Sequence, residues 1–412
     1  MNELVVQKYG GTSVGSIERI KKVAERVARI RNTGVDIIVV VSAMAGETDK
    51  LFAMAKQINP NGKEREIDLL LSSGERISSA LLSMALDNIG CPAISMTGRQ
   101  IGLLTDRSHT KARIKEIDPV RARKALKDKN VIVVAGFQGI NEHGDVTTLG
   151  RGGSDTSAVA LAVALKAKRC EIYTDVDGVY TADPNVVPDA RKMDRVSYDE
   201  MLEMSSLGAK VLQFRCVEFC KKYRMPLIVK SSLVEDSNGT LICEEDSSME
   251  QPVVSGVMND ENQAKISIKG VPDQPGIASK FFTGLADANL SVDMIIQNVS
   301  DGNHTDISFT VTKVDMNKAT EIVNKLGKLI NAREIISDPN ICKVSIVGAG
   351  MRSHPGVAAK MFSALSDEKI NIMMISTSEI RVSCIIDEKY GELAVRILHK
   401  VFNMALVQEK TN

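Results

Sequence analysis

The stretch LVVQKYGGTSVGS, residues 4–16, joins a short apolar run to a glycine turn and then to the start of a helical pattern. Two glycines let the backbone approach an oxyanion closely, and Lys8 places a positive charge just before them. The lysine precedes the glycines, however, and no GxxxxGK[ST] phosphate loop occurs anywhere in the chain. Alone, the stretch is more typical of a turn between a strand and a helix than of a phosphate site.

The first 245 residues continue this alternation of strand and helix patterns. Residues 35–41 and 131–137 are nearly all apolar and rich in β-branched side chains, as expected of strands buried on both faces. After Ser16, a predicted N-cap, apolar residues recur at helical spacing through Ile30. This order predicts an α/β domain with a largely parallel sheet and helices on both faces, whose sites lie beyond the carboxyl ends of the strands.

A repeated unit follows a boundary region. Residues 234–254 are polar and turn-rich, which predicts the end of a domain. Beyond them, residues 265–312 and 343–386 repeat one pattern with an offset of 80 positions. Each copy predicts a strand, a Pro-Gly turn, an amphipathic helix and a strand, so we expect a paired module whose sheets join side by side. The predicted domains are residues 1–245, 262–336 and 341–405.

Composition argues against several classes of protein. The 412 residues carry a net charge of zero, 4% are aromatic and none is tryptophan, so neither a basic patch nor a stacking platform for nucleic acid is expected. No apolar stretch approaches the roughly 20 residues that span a membrane, and no signal pattern opens the chain. Seven singly scattered cysteines predict reduced thiols in a cytoplasmic protein, and Cys216 and Cys220 lack further ligands for a zinc site.

Three more motifs stand at predicted strand ends, each with a structural alternative. Residues 149–155, LGRGGSD, open a helix whose unpaired N–H groups and dipole favour a phosphate or a carboxylate, although a serine or aspartate there could instead be a helix N-cap. Residues 72–76, SSGER, could form a capping box between their first serine and the glutamate. Residues 173–184 contain Asp-Gly and Asp-Pro turns that could shape a base pocket.

The chain shows no obvious nucleophile with a base. Its five histidines are isolated, and no Ser–His or Cys–His arrangement stands out. In a phosphoryl transfer, a hydroxyl acceptor would want a base, whereas a carboxylate acceptor is ionised near neutral pH and needs none. Catalysis would then consist mainly of positioning and of charge neutralisation by Lys, Arg, backbone N–H groups and Mg²⁺.

Six segments form a recognisable set: KYGGTSV (8–14), VVVSAMAGETD (39–49), LLSSGERISSALL (70–82), VAGFQG (134–139), TTLGRGGSDTSA (147–158) and IYTDVDGVYTADP (172–184). Together, in order and at compatible spacing, they resemble the bacterial aspartate kinases. The repeated unit, with PDQPGIASKFF, MIIQNVS and ISTSEI, is similar to the tandem ACT domains of that family. The resemblance implies a three-layer αβα amino-acid kinase domain followed by two ferredoxin-like ACT domains.

The resemblance also implies an activity. ATP and L-aspartate would give ADP and 4-phospho-L-aspartate, with ATP and Mg²⁺ as cofactors, in the first step of lysine, threonine and methionine biosynthesis. Two alternatives remain open: a kinase of the same fold that acts on glutamate, carbamate or a nucleotide, and an amino-acid sensor without catalytic activity. The expected partners are L-aspartate and the effectors lysine, threonine or both, without nucleic acid or membrane. Pairing of ACT domains would give a homo-oligomer or an α2β2 assembly.

The resemblance implies roles for the matching residues. Lys8 would neutralise the transferring phosphate, and Asp155 would orient Lys8 or the metal. The substrate-binding residues would be Ser42, Thr48, Glu75, Arg151, Gly153 and Ser154. Of these, Glu75 would pair with the aspartate ammonium and Arg151 would fork onto its α-carboxylate. The residues around the nucleotide and its phosphates would be Lys8, Tyr9, Gly10, Gly11, Tyr173, Thr174, Asp177, Gly178, Val179, Tyr180, Asp183 and Lys210. No residue is assigned as a metal ligand.

The ACT resemblance implies an effector site in each copy. In the first copy it would involve Asp273, Gln274, Pro275, Gly276, Ile277, Ala278, Ser291, Val292, Asp293, Met294 and Gln297. In the second copy the counterparts would be Asn371, Ile372, Thr377, Ser378 and Glu379. The Pro-Gly turn could also be a simple connection between strand and helix. Because Ser353 and His354 replace Asp273 and Gln274 in the second copy, the two copies need not bind the same ligand.

Overall fold

The computed structural model describes residues 2–208, 211–235, 237–245, 253–300 and 304–405. The chain divides into two compact units. The first comprises Met1–Val179 and Lys192–Met249, and the second comprises Tyr180–Arg191 and Glu250–Asn412. The segment Tyr180–Arg191, which lies inside the catalytic domain predicted from the sequence, therefore folds with the unit that contains the repeats.

The first unit alternates strands and helices, as predicted. Its strands are β1 (Leu4–Tyr9), β2 (Asp36–Val41), β3 (Ala93–Met96), β4 (Leu103–Thr105), β5 (Ile114–Ile117), β6 (Val131–Ala135), β7 (Gln138–Ile140), β8 (Val146–Thr148), β9 (Arg169–Thr174), β10 (Arg195–Ser197), β11 (Leu227–Ser231) and β12 (Thr240–Cys243). Its helices are α1 (Ile17–Arg31), α2 (Glu47–Ile58), α3 (Glu64–Leu71), α4 (Ser73–Asn88), α5 (Val120–Lys127), α6 (Gly153–Leu165), α7 (Tyr198–Ser206) and α8 (Phe214–Tyr223).

These strands form two sheets. The larger has the order β10-β12-β11-β9-β1-β2-β6-β3, and all its neighbouring strands are parallel except β11 and β12, which are antiparallel. The smaller has the order β5-β4-β7-β8. The prediction of a largely parallel sheet is thus confirmed, and a small second sheet accompanies it.

Strand β2 illustrates why the large sheet is covered on both faces. Ile37, Val39 and Val41 lie in one apolar core with residues of α1 and α4. Val40 faces the opposite layer, since a Cβ added at Gly136 would lie 2.9 Å from Val40 Cγ1 and 3.0 Å from Ser154, in α6. Side chains of a strand alternate between faces, so a run without polar residues requires a cover on each side. The expected αβα layering follows.

The second unit contains both copies of the repeat. Its strands are β13 (Gly256–Pro272), β14 (Ile295–Ser300), β15 (His304–Thr312), β16 (Glu334–Val347), β17 (Met374–Thr377) and β18 (Arg381–Asp387). Its helices are α9 (Ile277–Asp287), α10 (Met316–Leu329), α11 (Val357–Asp367) and α12 (Gly391–Val401), with 3-10 turns at Ala349–Ser353 and Glu388–Tyr390. One antiparallel sheet of order β14-β15-β13-β16-β18-β17 joins the two copies side by side, as predicted.

The two copies share their long central strands. The first part of β13 pairs with the end of β16, Gly256 opposite Val347, and its later part pairs with the start of β16, Lys269 opposite Glu334. Helices α9 and α11 start 80 positions apart, after Gly276 (φ 92°) and Gly356 (φ 91°). Because both glycines are left-handed, the Pro-Gly turns of the two copies have the same backbone geometry.

The segment Tyr180–Arg191 belongs to the core of the second unit. The amide of Val257 donates to the carbonyl of Thr181 over 2.8 Å, and Ala182 and Val187 are buried in the apolar core around α11 and α12. The Thr181 hydroxyl lies 2.9 Å from Nε2 of the buried His399. Among the described helices, none is both long enough and apolar enough to cross a membrane.

Candidate active site

A cavity of about 870 Å³ in the first unit brings the predicted residues together. Its lining includes every residue predicted as catalytic or substrate-binding, namely Lys8, Ser42, Thr48, Glu75, Arg151, Gly153, Ser154 and Asp155. Lys8 lies near the end of β1 and Ser42 directly after β2. The cavity therefore lies where a parallel sheet is expected to carry its site, at the carboxyl ends of its strands.

Lys8 and Asp155 form the buried ion pair of the cavity. Lys8 Nζ lies 2.5 Å from Asp155 Oδ1, and only 12% and 11% of the two side chains are exposed. Asp155 lies in the first turn of α6, where the helix dipole favours a negative charge. The strand thus supplies the cation and the helix supplies the anion that holds it in place.

The helix that carries Asp155 begins without a side-chain cap. Its N-cap is Gly152, in the left-handed region at φ 68°, so the alternative that Ser154 or Asp155 is the cap is wrong. A Cβ at Gly152 would lie 2.0 Å from Cγ of Gln213. Glycine is needed here for its conformation and for its size. Since neither Ser154 nor Asp155 is the cap, both side chains can line the cavity.

Glu75 presents a buried carboxylate with one unsatisfied oxygen. Oε1 accepts a hydrogen bond of 3.0 Å from the Ala43 amide, whereas Oε2 is buried and has no hydrogen-bond partner among the described residues. Burial raises the pKa of Glu75 to about 7, against the lowering effect of the bond from Ala43. The capping box suggested for SSGER is wrong, since the Ser72 hydroxyl donates to the Leu69 carbonyl instead.

An unsatisfied buried acceptor requires a partner to offset its desolvation. Since Glu75 lines the cavity, a cationic group of a ligand would satisfy Oε2. Arg151 supplies the opposite chemistry, because its exposed side chain offers a planar fork of donors to a carboxylate. The cavity thus offers a carboxylate to an ammonium and a guanidinium to a carboxylate, which are the two groups of an amino acid.

The two tyrosines predicted near the nucleotide are packed in the core. Tyr9 and Tyr173 stack with ring centroids 4.6 Å apart and are 0% and 4% exposed. Their phenol rings therefore cannot contact a nucleotide in this structure. Gly10, also predicted beside the phosphates, has its N–H bonded to the protein instead, because it donates to the Tyr173 carbonyl over 3.1 Å. Gly11 lines the cavity, and a Cβ there would lie 2.9 Å from the Ala43 carbonyl.

The loop after β9 carries the next nucleotide candidates. Asp177 lies 3.4 Å from Nζ of Lys192, and the amide of Val179 donates to Thr240 Oγ1 over 2.8 Å. Gly178 is packed closely, since a Cβ there would lie 2.6 Å from the Thr240 hydroxyl. These contacts give the loop a defined shape, although its residues are not among those that line the cavity.

The remaining nucleotide candidates are spread over the chain. Thr174 ends β9, and its hydroxyl donates to the Asp175 carboxylate over 3.0 Å. Tyr180 and Asp183 belong to the second unit. There Tyr180 packs against the apolar core, and the Asp183 carboxylate accepts a hydrogen bond from the Asn185 amide. Lys210 lies outside the described residues.

The predicted effector residues of the second unit are mostly exposed. The exposed ones are Asp273, Gln274, Pro275, Gly276, Ser291, Asp293, Gln297, Asn371, Thr377, Ser378 and Glu379, and the partly buried ones are Ala278, Val292 and Ile372. Ile277 and Met294 are buried core residues, so their side chains do not face a ligand turn. Asp293 forms an ion pair with the buried Lys343.

Comparison with known proteins identifies a kinase domain followed by two ACT domains. A model of the amino acid kinase family matches residues 3–231, and a model of the ACT domain matches residues 266–326 and 344–402. The aspartokinase of Pseudomonas aeruginosa is 57% identical over 403 residues, which cover 97% of this chain and 98% of that protein. This chain belongs to the aspartate kinase family.

Solved structures of aspartokinase III from E. coli have the same fold. Its complex with aspartate and ADP, described as the R-state, is 26% identical, with a TM-score of 0.80 over 97% of this chain and 99% of that one. Its complex with lysine and aspartate, described as the T-state, is 26% identical, with a TM-score of 0.73 over the same shares.

Several residues of the cavity were not predicted from the sequence. They are chiefly Ala43, whose amide holds Glu75, and Thr110, Lys111, Phe137 and Thr148, which line the wall. Thr148 lies within the TTLGRGG motif and could have been noticed there. Thr110 and Lys111 carry no such signal, because they lie in a loop between two short strands of the small sheet.

Proposed function

We propose that this member of the aspartate kinase family transfers the γ-phosphate of ATP to the β-carboxylate of L-aspartate, giving ADP and 4-phospho-L-aspartate. The observation that carries the proposal is that the buried Lys8–Asp155 pair and the half-satisfied Glu75 carboxylate line one cavity. A site for transfer between two anions needs a fixed cation, and a site for an amino acid needs a carboxylate for its ammonium. Both are present.

The substrate would be held at its two α-substituents. Its ammonium would donate to Oε2 of Glu75, and its α-carboxylate would receive the fork of Arg151. Ser42, Thr48, Gly153 and Ser154 would surround the rest of the molecule. These contacts leave the β-carboxylate as the only reactive group of aspartate, and since it is already ionised the transfer needs no general base.

Lys8 would neutralise charge during the transfer. One anion approaches another, so the barrier is lowered mainly by fixed positive charge that is already in place. Asp155 holds Nζ of Lys8 at one position, so the lysine side chain need not rearrange during the reaction. The nucleotide would lie beside the loop after β9, with Thr174, Asp177, Gly178 and Val179 shaping its base pocket.

The residues present fit a magnesium ion that arrives with the nucleotide. Mg²⁺ in kinases is bound by one or two carboxylates together with phosphate oxygens, and the described residues contain no group of three His, Cys, Asp or Glu side chains that could cage a metal. Of the carboxylates that line the cavity, Asp155 would face the ion, because it lies beside Lys8, where the transferring phosphate would be bound. When bound, the ion would offset the charge of the phosphates.

Regulation by lysine, threonine or both, acting through the ACT domains, is part of the proposal, as is a place at the start of lysine, threonine and methionine biosynthesis. Support comes from the aspartokinase III of E. coli, whose structure with lysine is described as a T-state. The exposed turn 273–276 ahead of α9 offers the carboxylate of Asp273 and the amide side chain of Gln274 to an amino acid. ACT domains of two chains would pair in a homo-oligomer or an α2β2 assembly.

An acyl phosphate assay tests the activity. Purified protein with ATP, Mg²⁺ and aspartate should give a hydroxamate when hydroxylamine traps the product, and glutamate or carbamate in place of aspartate should give none. Turnover with another acceptor and not with aspartate would contradict the proposal. Adding lysine and threonine singly and together tests the regulation, which fails if neither changes the rate or the melting temperature.

A further inference from the structure

Asp68 is a fully buried carboxylate that the catalytic proposal does not use. It lies in α3 with no exposed surface. The Thr148 hydroxyl donates to its Oδ1 over 2.5 Å, the Thr110 amide lies 3.1 and 3.0 Å from its two oxygens, and Nδ1 of His109 lies 2.7 Å from Oδ2. A buried carboxylate is costly unless such partners satisfy it, so this cluster is built for a defined geometry.

The partners of Asp68 belong to two segments that form one wall of the cavity. Thr110 and Lys111 lie in the loop between β4 and β5, and Thr148 ends β8 just before Gly150 and Arg151. All five residues line the cavity. Asp68, which does not itself line the cavity, thus connects the two segments that carry Lys111 and Arg151.

The wall is tight and partly strained. Thr110 has φ 63°, which a β-branched residue rarely adopts, and its backbone approaches Gly150 so closely that a Cβ there would lie 3.1 Å from the Thr110 carbonyl. Backbone strain of this kind persists only where surrounding contacts hold it. The bond from the Thr110 amide to Asp68 is one such contact.

A second connection ties the same segments at the other end. Arg215 donates through Nη1 to the Leu149 carbonyl over 2.7 Å and through Nη2 to the Ala112 carbonyl over 3.1 Å. The Ala112 amide also donates to the Thr148 carbonyl over 2.9 Å. The loop and the strand end are therefore bonded to each other, and Asp68 of α3 and Arg215 of α8 each bond to both.

We propose that Asp68 is a positioning residue for substrate binding. Through Thr148 Oγ1 and the Thr110 amide it fixes the wall that carries Lys111 and Arg151, and so it sets where the cationic groups meet a carboxylate of the substrate. The inference rests on the proposed function only for the identity of that substrate. The position of the wall itself is a property of the protein without ligand.

Two neighbouring threonines provide a matched test. Thr147 and Thr148 are both buried in β8, and each makes a short hydroxyl bond, but the Thr147 hydroxyl contacts Thr105 at 2.6 Å and does not line the cavity. Thr148→Val should raise KM for aspartate about tenfold, with kcat and KM for ATP within about twofold of the wild type. Thr147→Val should leave KM for aspartate unchanged at a similar loss of melting temperature.

Conservative and combined variants separate positioning from general damage. Thr148→Ser keeps the hydroxyl and should restore the wild-type KM, and Asp68→Asn should raise KM as Thr148→Val does. In an Arg151→Lys background, Thr148→Val should add little, because both changes act on the same contact. Equal increases in KM for Thr147→Val and Thr148→Val, or full additivity with Arg151→Lys, would overturn the proposal.

Hydrogen exchange provides a readout that does not depend on the substrate. The Thr110 amide should exchange faster in Thr148→Val and Asp68→Asn than in Thr147→Val. If the wild-type protein forms no hydroxamate with aspartate, the proposed function fails while this comparison still tests the wall. Unchanged exchange at Thr110 in both Thr148→Val and Asp68→Asn would refute the positioning role.

Discussion

Lys8 Nζ lies 2.5 Å from Asp155 Oδ1 in a pair that is almost closed to solvent. Lys8→Met should lower kcat about 10³-fold, because it removes the cation from the point where two anions meet. Lys168→Met is the control, since Lys168 also pairs with a carboxylate, that of Glu3, but is exposed and lies outside the cavity. The measurement is steady-state hydroxamate formation, and a Lys8→Met protein of near wild-type kcat would remove Lys8 from catalysis.

The same pair has a stability signature. Lys8→Met leaves the Asp155 carboxylate buried without its partner and should cost about 3 kcal/mol of unfolding free energy. The double variant Lys8→Met with Asp155→Asn should regain most of that stability while staying inactive. Urea unfolding of the four proteins completes the cycle. If the double variant loses the sum of the losses of Lys8→Met and Asp155→Asn, the pair is not coupled.

Glu75 should make aspartate binding dependent on pH. Its pKa of about 7 means that the carboxylate becomes protonated as pH falls below 7, so its attraction for an ammonium is lost and KM for aspartate should rise. Glu75→Gln should raise KM for aspartate about 100-fold at pH 8 and remove this break in the profile. KM for ATP serves as the internal control and should show no break at that pH.

Glu75 should also lower stability as pH rises from acidic to neutral values. The folded pKa of about 7 is above the unfolded value of 4.5, so the native state binds the proton more tightly and loses stability as pH rises from 4.5 to 7. Glu75→Gln keeps the shape and carries no charge, and at pH 8 it should be more stable than the wild type by about 3 kcal/mol. A variant that is less stable than the wild type at pH 8 would mean that the native carboxylate is already satisfied.

Much of the fold and of the site follows from local patterns. The apolar run at residues 37–41 predicted strand β2, and the helical stripe after Ser16 predicted helix α1. The 80-residue offset predicted the two copies of the repeat. The residues of the cavity were predicted through the family resemblance, because each motif alone kept a structural alternative. Lys8 and Ser42 stand at the ends of strands β1 and β2, whereas SSGER lies between helices α3 and α4. In a parallel sheet those strand ends converge on one edge, so motifs distant in sequence meet there.

Other features depend on contacts that no local pattern encodes. Asp68 looks like any polar position of a helix, yet its partners lie about 40 and 80 residues further along. Tyr9 and Tyr173 stand beside binding motifs, but the alternation of their strands turns both rings into the core. The segment Tyr180–Arg191 continues a nucleotide motif, but its apolar residues are buried in the core of the second unit.

Arg151 should be sensitive to loss of its shape as well as its charge. Arg151→Lys keeps the positive charge but cannot form two parallel hydrogen bonds with a carboxylate, so KM for aspartate should rise about tenfold with little change in KM for ATP. Arg107→Lys is the control, because Arg107 pairs with Glu142 at the surface and does not line the cavity. An equal KM for wild type and Arg151→Lys would argue against a bidentate contact.

The two glycines of the first loop should respond differently to substitution. A Cβ at Gly11 would lie 2.9 Å from the Ala43 carbonyl, whereas a Cβ at Gly10 has no neighbour closer than Lys8 Nζ at 3.5 Å. Gly11→Ala should therefore lower the unfolding free energy by about 2 kcal/mol, and Gly10→Ala by much less. Because the Ala43 amide holds Glu75, Gly11→Ala should also raise KM for aspartate.

Thermal unfolding and steady-state kinetics on both alanine variants test this difference. If Gly10→Ala and Gly11→Ala lose equal stability, the close approach of Gly11 to the Ala43 carbonyl does not restrict which residue can stand at position 11. If Gly11→Ala is destabilised but binds aspartate normally, Ala43 can shift without moving Glu75, and the link from the first glycine loop to the aspartate ammonium is absent.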